Sequence, residues 1–368
     1  MYVTNYNIHL IVIMRIKIFS SFCSSDHAKK SSERLLTPYL GIQYGPNFNV
    51  GSTNTQHVYI VGDNDDNYTH VIIWNIAMPD IPKRIPKRNI IGIALEPPPY
   101  LGITPSFIEY AMTNIHAYYI GDCGGLPSPF VEGNAYLPYM TPPITIPYKG
   151  STMSMVLSHK RDLPGHKYRH KLASYILHHN LPIDIYGNGT IKGRYQTFKS
   201  ERIKGPFDNQ RDPYEGYLFT IAIENVSSNH YLSEKVINPM LDGCVPIYLG
   251  CRNIQKYYPN KTISLSGDIV NDMNVLISVL QNPMKYFKSI NPIEIQKKSC
   301  FITNLDSLFQ INDKSPPKMV AFPEKVVTRA DSLYLSSSES DLNSVSSTSD
   351  ENPLVAVFHN VDSDSESE

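Results

Sequence analysis

Three side chains that could bind a nucleotide lie close together in the sequence: Tyr231, Glu234 and Lys235. Residues three and four positions apart lie on the same face of a helix, so this spacing groups the three side chains if the segment is helical. A carboxylate can accept hydrogen bonds from ribose hydroxyls, and an ammonium group can bind phosphate. The alternative is a surface charge pair on an ordinary helix, and spacing alone leaves both interpretations open.

Apolar segments on both sides of these residues predict two buried β-strands. Residues 218–223 end in the polar pair Glu224-Asn225, and residues 244–249 end at Gly250. Two such strands joined by a helix form a βαβ unit, and ligands of open α/β sheets bind beyond the carboxyl ends of the strands. We therefore expect Asn225 and the helix to face a ligand-binding crevice.

The same block resembles the donor-binding motif of the α1,3/4-fucosyltransferases, glycosyltransferase family 10. The matching pieces keep the order and offsets of that motif: YLF at 217–219, IEN at 223–225, Tyr231, SEK at 233–235 and GCVPIYLG at 243–250. The resemblance implies that this half of the chain binds GDP-fucose. The residues that it places at the donor are Asn225, Tyr231, Glu234 and Lys235. It also implies an α/β fold of the GT-B type, in which two Rossmann-like domains face a cleft.

A second helix, predicted over residues 167–179, follows a predicted strand at 153–158. Around it, Ser158, Arg169 and the DIYG sequence at 184–187 also resemble the family pattern. This resemblance implies that Arg169 binds the diphosphate, and the start of the helix would add free N–H groups. Three neighbouring residues compete with Arg169 for this role: His166, Lys167 and Lys171.

The candidate general base is Glu96, at the carboxyl end of the predicted strand 89–95. The flanking sequence, IIGIALEPPPY before it and AYLPY further on, resembles the acceptor-side pattern of the same family, which implies that Glu96 takes the proton of the acceptor hydroxyl. A partly desolvated carboxylate has a raised pKa and is a more effective base. The alternative is that Glu96 caps the helix that follows.

The reaction implied by the resemblance is transfer of fucose from GDP-fucose to a glycan hydroxyl, with inversion at the anomeric carbon. Lys235 and Arg169 would stabilise the departing GDP, so we expect no metal ion and no other cofactor. Two alternatives stay open. The chain could be an inactive relative that binds nucleotide or glycan and acts through its tail, or a transferase that uses another nucleotide sugar.

The chain of 368 residues is long enough for two ordinary domains and a tail. We expect an N-terminal acceptor-side Rossmann-like domain over 1–148, a C-terminal GDP-sugar-binding domain over 149–330 and a tail over 331–368. The proline-rich stretch 137–148 is the predicted linker. The predicted strands of the first half are 14–20, 57–62, 70–75, 89–95 and 115–120, and its predicted helices are 26–36 and 105–113. A last helix is predicted over 297–315, packed back toward the first domain.

The tail contains nine acidic residues and no Lys or Arg, which leaves 33 bases and 25 acids in residues 1–330. Its low apolar content and high charge predict disorder, and it could bind a protein partner or an acidophilic kinase. The moderately basic body suits an anionic donor such as a nucleotide sugar. Because no stripe of Lys and Arg alternates with aromatic residues, we expect no nucleic-acid partner.

The five cysteines are scattered, and their spacing predicts neither a disulfide framework nor a metal site. This favours a cytoplasmic or other reducing compartment. The apolar run at 8–13 is too short for a membrane-spanning helix, so we expect no signal peptide or membrane anchor, and Met14 is an alternative start. The acidic sequence GDNDDN at 62–67 could hold a metal ion, although such a cluster is also typical of a solvated turn.

Overall fold

Two six-stranded sheets with connecting helices make up the fold. The structure is a computed structural model that describes residues 12–33, 56–133, 140–143, 145–190, 195 and 197–309. Within these ranges every strand pairing is parallel. The prediction of an α/β fold with two Rossmann-like sheets is therefore confirmed.

The first sheet has the strand order β2-β1-β3-β4-β5-β6. Its strands are β1 (Val12–Ser20), β2 (Gln56–Val61), β3 (His70–Trp74), β4 (Ile90–Ile93), β5 (Ala117–Ile120) and β6 (Phe130–Glu132). The helices of this half are α1 (Ser25–Glu33), α2 (Pro98–Leu101) and α3 (Pro105–Asn114). Successive side chains of a strand point to opposite faces, so Ile91 and Ile93 enter one apolar core and Ile90 enters the other.

The second sheet has the strand order β12-β11-β10-β7-β8-β9. Its strands are β7 (Ser151–Val156), β8 (Ile183–Tyr186), β9 (Ile203–Gly205), β10 (Tyr217–Ile223), β11 (Val245–Leu249) and β12 (Ile263–Ser264). The helices after β7 are α4 (Pro164–His178), α5 (Glu234–Leu241), α6 (Ile254–Tyr257), α7 (Ile269–Gln281), α8 (Pro283–Tyr286), α9 (Pro292–Ser299) and α10 (Leu305–Leu308). β10 lies between β7 and β11, so the carboxyl ends of these three strands meet at one edge.

The strands and helices predicted for the first half are observed, with differences at their end residues. The last part of the predicted helix 26–36 falls at 34–36, outside the described residues. The predicted single helix over 297–315 is wrong. α9 ends before Cys300, whose extended backbone (φ −83°, ψ 123°) breaks the helix, and short helical pieces follow at 302–304 and in α10. Residues 310–315 lie outside the described ranges.

The predicted packing of this last segment against the first half is confirmed. The rings of Trp74 and Phe301 meet edge to face with centroids 6.1 Å apart, and the Tyr119 hydroxyl donates to the Leu308 carbonyl at 2.7 Å. The segment also joins the apolar core that contains Ile16 from β1. The chain therefore covers one face of its first sheet with residues from the far end of the second half.

The acidic sequence at 62–67 forms a turn that organises the start of α1. The Asp63 carboxylate accepts hydrogen bonds from the backbone N–H groups of Ser25 and Asp26 at 2.8 and 3.3 Å. The Lys17 ammonium donates to the carbonyls of Asp63 and Asp65 at 2.9 and 3.2 Å. These contacts account for the acidic residues as parts of a structural turn.

None of the helices in the described ranges is both long and apolar enough to cross a membrane. The predicted tail over 331–368 and the first residue, Met1, lie outside the described ranges, whereas the alternative start, Met14, lies in β1. So do residues 134–139 and 144 of the region that contains the predicted linker. All five cysteines are free thiols.

Candidate functional site

A cavity of about 500 Å³ lies at the carboxyl edge of the second sheet. Its wall includes Leu95, from the segment after β4, and Ser158, from the segment after β7. Arg169 of α4 and the first two residues of α5, Glu234 and Lys235, line the same cavity. The cavity therefore receives side chains from both halves of the chain.

The start of α5 is set by Ser233. Its backbone is extended (φ −127°, ψ −171°), and its side chain accepts a hydrogen bond from the Lys235 N–H at 3.3 Å, as an N-cap does. The helix therefore begins at Glu234, and Tyr231 precedes it. The prediction that Tyr231, Glu234 and Lys235 share one helical face is wrong for Tyr231, because the cap interrupts the helical backbone.

Tyr231 nevertheless stays close to the candidate site. Its side chain is buried. A Cβ atom at Gly121, just after β5, would lie 3.3 Å from the Tyr231 Cβ. The loop that carries Tyr231 is thus packed against the carboxyl end of the first sheet.

The end of β10 is tied to the start of α5 by Glu224. One carboxylate oxygen accepts from the Ser233 backbone N–H at 2.8 Å, and the other accepts from the Ser233 hydroxyl at 2.6 Å. The Tyr248 hydroxyl donates to the same carboxylate at 3.3 Å. Burial raises the pKa of Glu224, although the nearby Lys235 ammonium opposes this shift. The buried carboxyl group therefore fixes the helix start rather than facing solvent.

Glu234 and Lys235 form an ion pair with 2.8 Å between the Lys235 Nζ and a Glu234 carboxylate oxygen. Desolvation is the largest single influence on Glu234 and opposes its ionisation, but the Lys235 charge and the hydrogen bonds from Lys235, Ser233 and the Glu234 backbone together outweigh it, so the pKa of Glu234 is lowered. Burial disfavours the Lys235 ammonium, but Glu234 and Glu224 outweigh it, and the pKa of Lys235 is raised. Both groups are therefore charged near neutral pH. The charge pair of the alternative interpretation, an ordinary pair on a helix, is therefore present, and it lies in the cavity wall.

Arg169 is held by the residue that follows β10. Its Nη2 donates to the Asn225 Oδ1 at 2.6 Å, and its Nε donates to the Gly165 carbonyl at 3.2 Å. Arg169 is buried, and burial lowers the pKa of its guanidinium, with Glu224 as the largest opposing charge. The two bonds orient the guanidinium toward the cavity that it lines.

The neighbours that compete with Arg169 lie elsewhere. His166 is buried beside Asp162, whose carboxylate is 3.0 Å from the His166 Nδ1, and burial lowers the pKa of His166. Lys167 and Lys171 are exposed on α4. Of the four candidates on this helix, Arg169 is the one that lines the described cavity.

A glycine allows α4 to approach β10 this closely. A Cβ atom at Gly165 would lie 1.8 Å from the Glu224 carbonyl oxygen, and the Gly165 N–H donates to the Asn225 carbonyl at 2.9 Å. Any larger residue at this position would push the first turn of α4, and with it Arg169, away from the strand end.

Glu96 lies three residues after β4 and is half-buried. Desolvation raises the pKa of Glu96, Lys235 is the largest opposing charge, and Glu234 adds to the increase. The candidate base is therefore near enough to Lys235 and Glu234 for their charges to affect its pKa. The alternative role as a helix cap is wrong: the N-cap of α2 is Pro97, with no side-chain cap hydrogen bond. The carboxylate is thus left for another role.

The second half of the chain matches a family model. The model, described as Glycosyltransferase family 10 (fucosyltransferase) C-term, matches residues 146–282. This segment of the chain therefore resembles the C-terminal part of glycosyltransferase family 10. The matched range contains all five candidate donor-binding residues, which are Arg169, Asn225, Tyr231, Glu234 and Lys235, whereas Glu96 lies before it.

Two curated relatives of this chain have names that agree with the family model. The α-(1,3)-fucosyltransferase B of Drosophila melanogaster is 29% identical over 155 residues, which are 41% of this chain and 31% of the relative. The α-(1,4)-fucosyltransferase of Arabidopsis thaliana is 29% identical over 75 residues, which are 20% of this chain and 18% of the relative. The chain thus spans less than a third of the length of either relative.

Solved structures also resemble this chain. The crystal structure of an α1,3-fucosyltransferase with GDP-fucose aligns with a TM-score of 0.46 at 11% identity. The alignment covers 86% of this chain and 95% of that one.

Two residues close to the candidate site, Glu224 and His230, were not among the predicted site residues. Glu224 belongs to the IEN motif, and its place at a strand end was a usable signal. His230 had no such signal. Its backbone is left-handed (φ 62°), and its ring lies 3.4 Å from the Glu132 carboxylate of the first half while also bonding the Tyr257 hydroxyl.

Within the described ranges there is no cluster of three or more His, Cys, Asp or Glu side chains that could hold a metal ion. The charged side chains that line the cavity are two cations, Arg169 and Lys235, and one carboxylate, Glu234. Glu96 does not line it, but the charges of Lys235 and Glu234 affect the pKa of Glu96. This set can bind an anionic ligand and accept a proton beside it.

Proposed function

We propose that this protein transfers fucose from GDP-fucose to a hydroxyl of a glycan, with inversion at the anomeric carbon. One observation carries the proposal: Leu95 of the first half, the residue directly before Glu96, lines the same cavity as Glu234 and Lys235 at the start of α5, within the range that matches the family model. A donor bound at α5 would therefore present its sugar near a proton acceptor. The names of the fruit-fly and Arabidopsis relatives support fucose as the transferred sugar.

The nucleotide would bind at the carboxyl edge of the second sheet. Arg169 and Lys235 are the cations for the diphosphate, and Asn225 holds the Arg169 guanidinium at 2.6 Å. Glu234 would accept hydrogen bonds from ribose hydroxyls, and the buried Tyr231 would pack beside the donor. When the donor binds, the Glu234–Lys235 ion pair separates. Lys235 then contacts the diphosphate, and Glu234 contacts the ribose hydroxyls.

In the reaction, the acceptor oxygen attacks the anomeric carbon of fucose and forms the new glycosidic bond. The bond between that carbon and the β-phosphate oxygen breaks, and its electron pair leaves with GDP. The hydroxyl proton passes to the Glu96 carboxylate. Negative charge grows on the departing GDP, and two cations that are already in position stabilise it. Preorganised groups of this kind lower a barrier most when they lie where charge develops.

The test is transfer by the full chain from GDP-fucose to a set of defined glycans, followed by mass and by the anomeric configuration of the product. We expect a fucosylated product with inverted configuration. Glu96→Gln should lower kcat by at least about 100-fold, within the usual contribution of a general base. Glu109→Gln, at an exposed site on α3, is the matched control and should keep wild-type turnover. Full activity of Glu96→Gln would remove the assigned base, and transfer only from a UDP-sugar would remove the GDP-fucose assignment.

A further inference from the structure

The residue that follows β3, Asn75, is fully buried and has a left-handed backbone (φ 57°). Non-glycine residues adopt this conformation rarely, and Asn is among those that tolerate it best. β3 pairs with β4, so Asn75 lies beside the chain that leaves β4 toward Glu96. An unusual backbone at such a place is a feature that needs a reason.

Two hydrogen bonds tie Asn75 to that departing chain. The Asn75 N–H donates to the Ile93 carbonyl at 3.0 Å. The Asn75 side-chain Oδ1 accepts from the Leu95 N–H at 2.9 Å. Because β4 ends at Ile93, the Leu95 N–H has no ladder partner there, and the Asn75 amide supplies one. The bond fixes the residue directly before Glu96.

Asn75 is itself held by a hydrogen bond from a residue of β5. The Tyr118 hydroxyl, on β5, donates to the Asn75 carbonyl at 2.8 Å, and Tyr118 is fully buried. Its ring occupies space beside β4 that exists only because residue 92 is glycine: a Cβ atom at Gly92 would lie 2.0 Å from the Tyr118 ring. The neighbouring Ala94 N–H donates to the Tyr119 carbonyl at 2.8 Å. The segment 93–95 is therefore bonded from strands on both of its sides.

We propose that Asn75 is a positioning residue that sets the place of the Glu96 carboxylate at the cavity. The proposal rests on the proposed function, since it assumes that the place of Glu96 matters for proton transfer. A misplacement of about 1 Å at a reacting centre can cost about 100-fold in rate. A bond to the residue adjacent to Glu96 is well placed to prevent such a shift.

The test uses Asn75→Gly, because glycine adopts the left-handed backbone readily and the change removes the side chain that carries the acceptor. Its matched control is Asn260→Gly, the same change at an exposed left-handed Asn (φ 58°). Two quantities are measured in the full chain: kcat and KM with GDP-fucose, and the titration of the Glu96 carboxyl by carbon-13 NMR, assigned with Glu96→Gln. Asn75→Asp, which keeps a side-chain acceptor, is the conservative variant.

We expect Asn75→Gly to lower kcat by about 10- to 100-fold with KM for GDP-fucose little changed, and to move the Glu96 titration toward that of an ordinary glutamate. Asn260→Gly should leave both quantities unchanged, and Asn75→Asp should recover most of kcat at pH 8. A general loss of stability would not move the titration of one carboxyl group. An unchanged titration and an unchanged kcat in folded Asn75→Gly would overturn the proposal.

Tyr118→Phe removes only the bond to the Asn75 carbonyl and decides the question if Asn75→Gly does not fold. It should shift the Glu96 titration in the same direction, and an unshifted titration would count against the role of Asn75. The NMR measurement does not depend on the donor. Absence of transfer by the wild-type chain would therefore contradict the proposed function, whereas an unmoved Glu96 titration would contradict the positioning role.

Discussion

The Glu224 carboxylate accepts both the backbone N–H and the hydroxyl of Ser233, at 2.8 and 2.6 Å. This relationship joins the end of the central strand β10 to the start of α5, where Glu234 and Lys235 enter the cavity. Gly250 leaves the room for it, since a Cβ atom there would lie 2.3 Å from the Glu224 Cγ. The position of the candidate nucleotide-binding residues thus depends on the buried Glu224 carboxyl group, which makes no contact with solvent.

Replacing Glu224 by Gln should destabilise the fold. One oxygen that accepts a hydrogen bond becomes an NH₂ group facing a donor, and a buried donor left without a partner costs about 1–3 kcal/mol. Urea unfolding of the full chain measures the free energy. Glu294→Gln, at an exposed site in the first turn of α9, is the control and should change it little. Equal stability of the two variants would mean that the Glu224–Ser233 contact does not hold the helix start.

Replacing Lys235 by Met should weaken GDP binding by about 10- to 100-fold, since hydrogen bonds to charged groups contribute about 1.5–3 kcal/mol. Calorimetric titration with GDP measures the dissociation constant. Lys167→Met removes the same charge from an exposed position on α4 and should leave GDP affinity near wild type. If both variants bind GDP as tightly as the wild type, the diphosphate does not lie at the start of α5.

The dependence of kcat on pH should reveal the ionisation of Glu96. Desolvation raises the pKa of Glu96 above its ordinary value of 4.5. The base works in its ionised form, so kcat falls as pH drops through this raised pKa, and the decline begins at a higher pH than for an exposed glutamate. A profile of kcat from pH 4 to 8 checks this. The acid limb should disappear in the residual activity of Glu96→Gln, and its persistence there would assign it to another group.

Asp242 should make stability depend on pH. Burial raises the pKa of Asp242 to about 6, against the favourable charge of Arg211, from an ordinary value of 3.8. The native state therefore keeps a proton that the unfolded chain releases, so this contribution is fully present below pH 3.8 and is lost as pH rises through 6. A shift of this size corresponds to on the order of 3 kcal/mol.

The difference between wild type and Asp242→Asn isolates this effect. The unfolding free energy of the wild type should fall more steeply between pH 4 and 6 than that of Asp242→Asn, measured by urea unfolding at each pH. Asp80→Asn, at an exposed residue, should keep the wild-type slope. Parallel curves for wild type and Asp242→Asn would show that Asp242 does not hold a proton in the native state.

The elements of the sheets could be predicted because parallel strands are continuous apolar runs, as residues 90–93 and 217–223 are. The residues at their carboxyl ends, Glu96 and Asn225, could be found for the same reason. Contacts between distant parts of the chain could not be predicted from the sequence. Nothing local to Asn75 signals its bond to Leu95, 20 residues away, and nothing near His230 signals Glu132.

Each error of prediction arose where the backbone conformation of one residue interrupted a predicted helix. Tyr231 has helical spacing from Glu234, but the extended Ser233 begins the helix later. The apolar residues after Cys300 have the composition of a helix, but they serve the core around Trp74 and Phe301 in short separate turns. In both places tertiary contacts decided the backbone where local pattern allowed more than one answer.

The most direct test of the central claim, a GDP-sugar site at the start of α5, is thermal unfolding of the full chain with GDP, UDP or ADP. A ligand at about 100 times its dissociation constant stabilises the native state by about 2.7 kcal/mol, which raises the melting temperature by a few degrees. We predict an increase with GDP that exceeds those with UDP and ADP and that is lost in Lys235→Met. An increase with UDP alone, or no increase with any of the three nucleotides, would contradict the account.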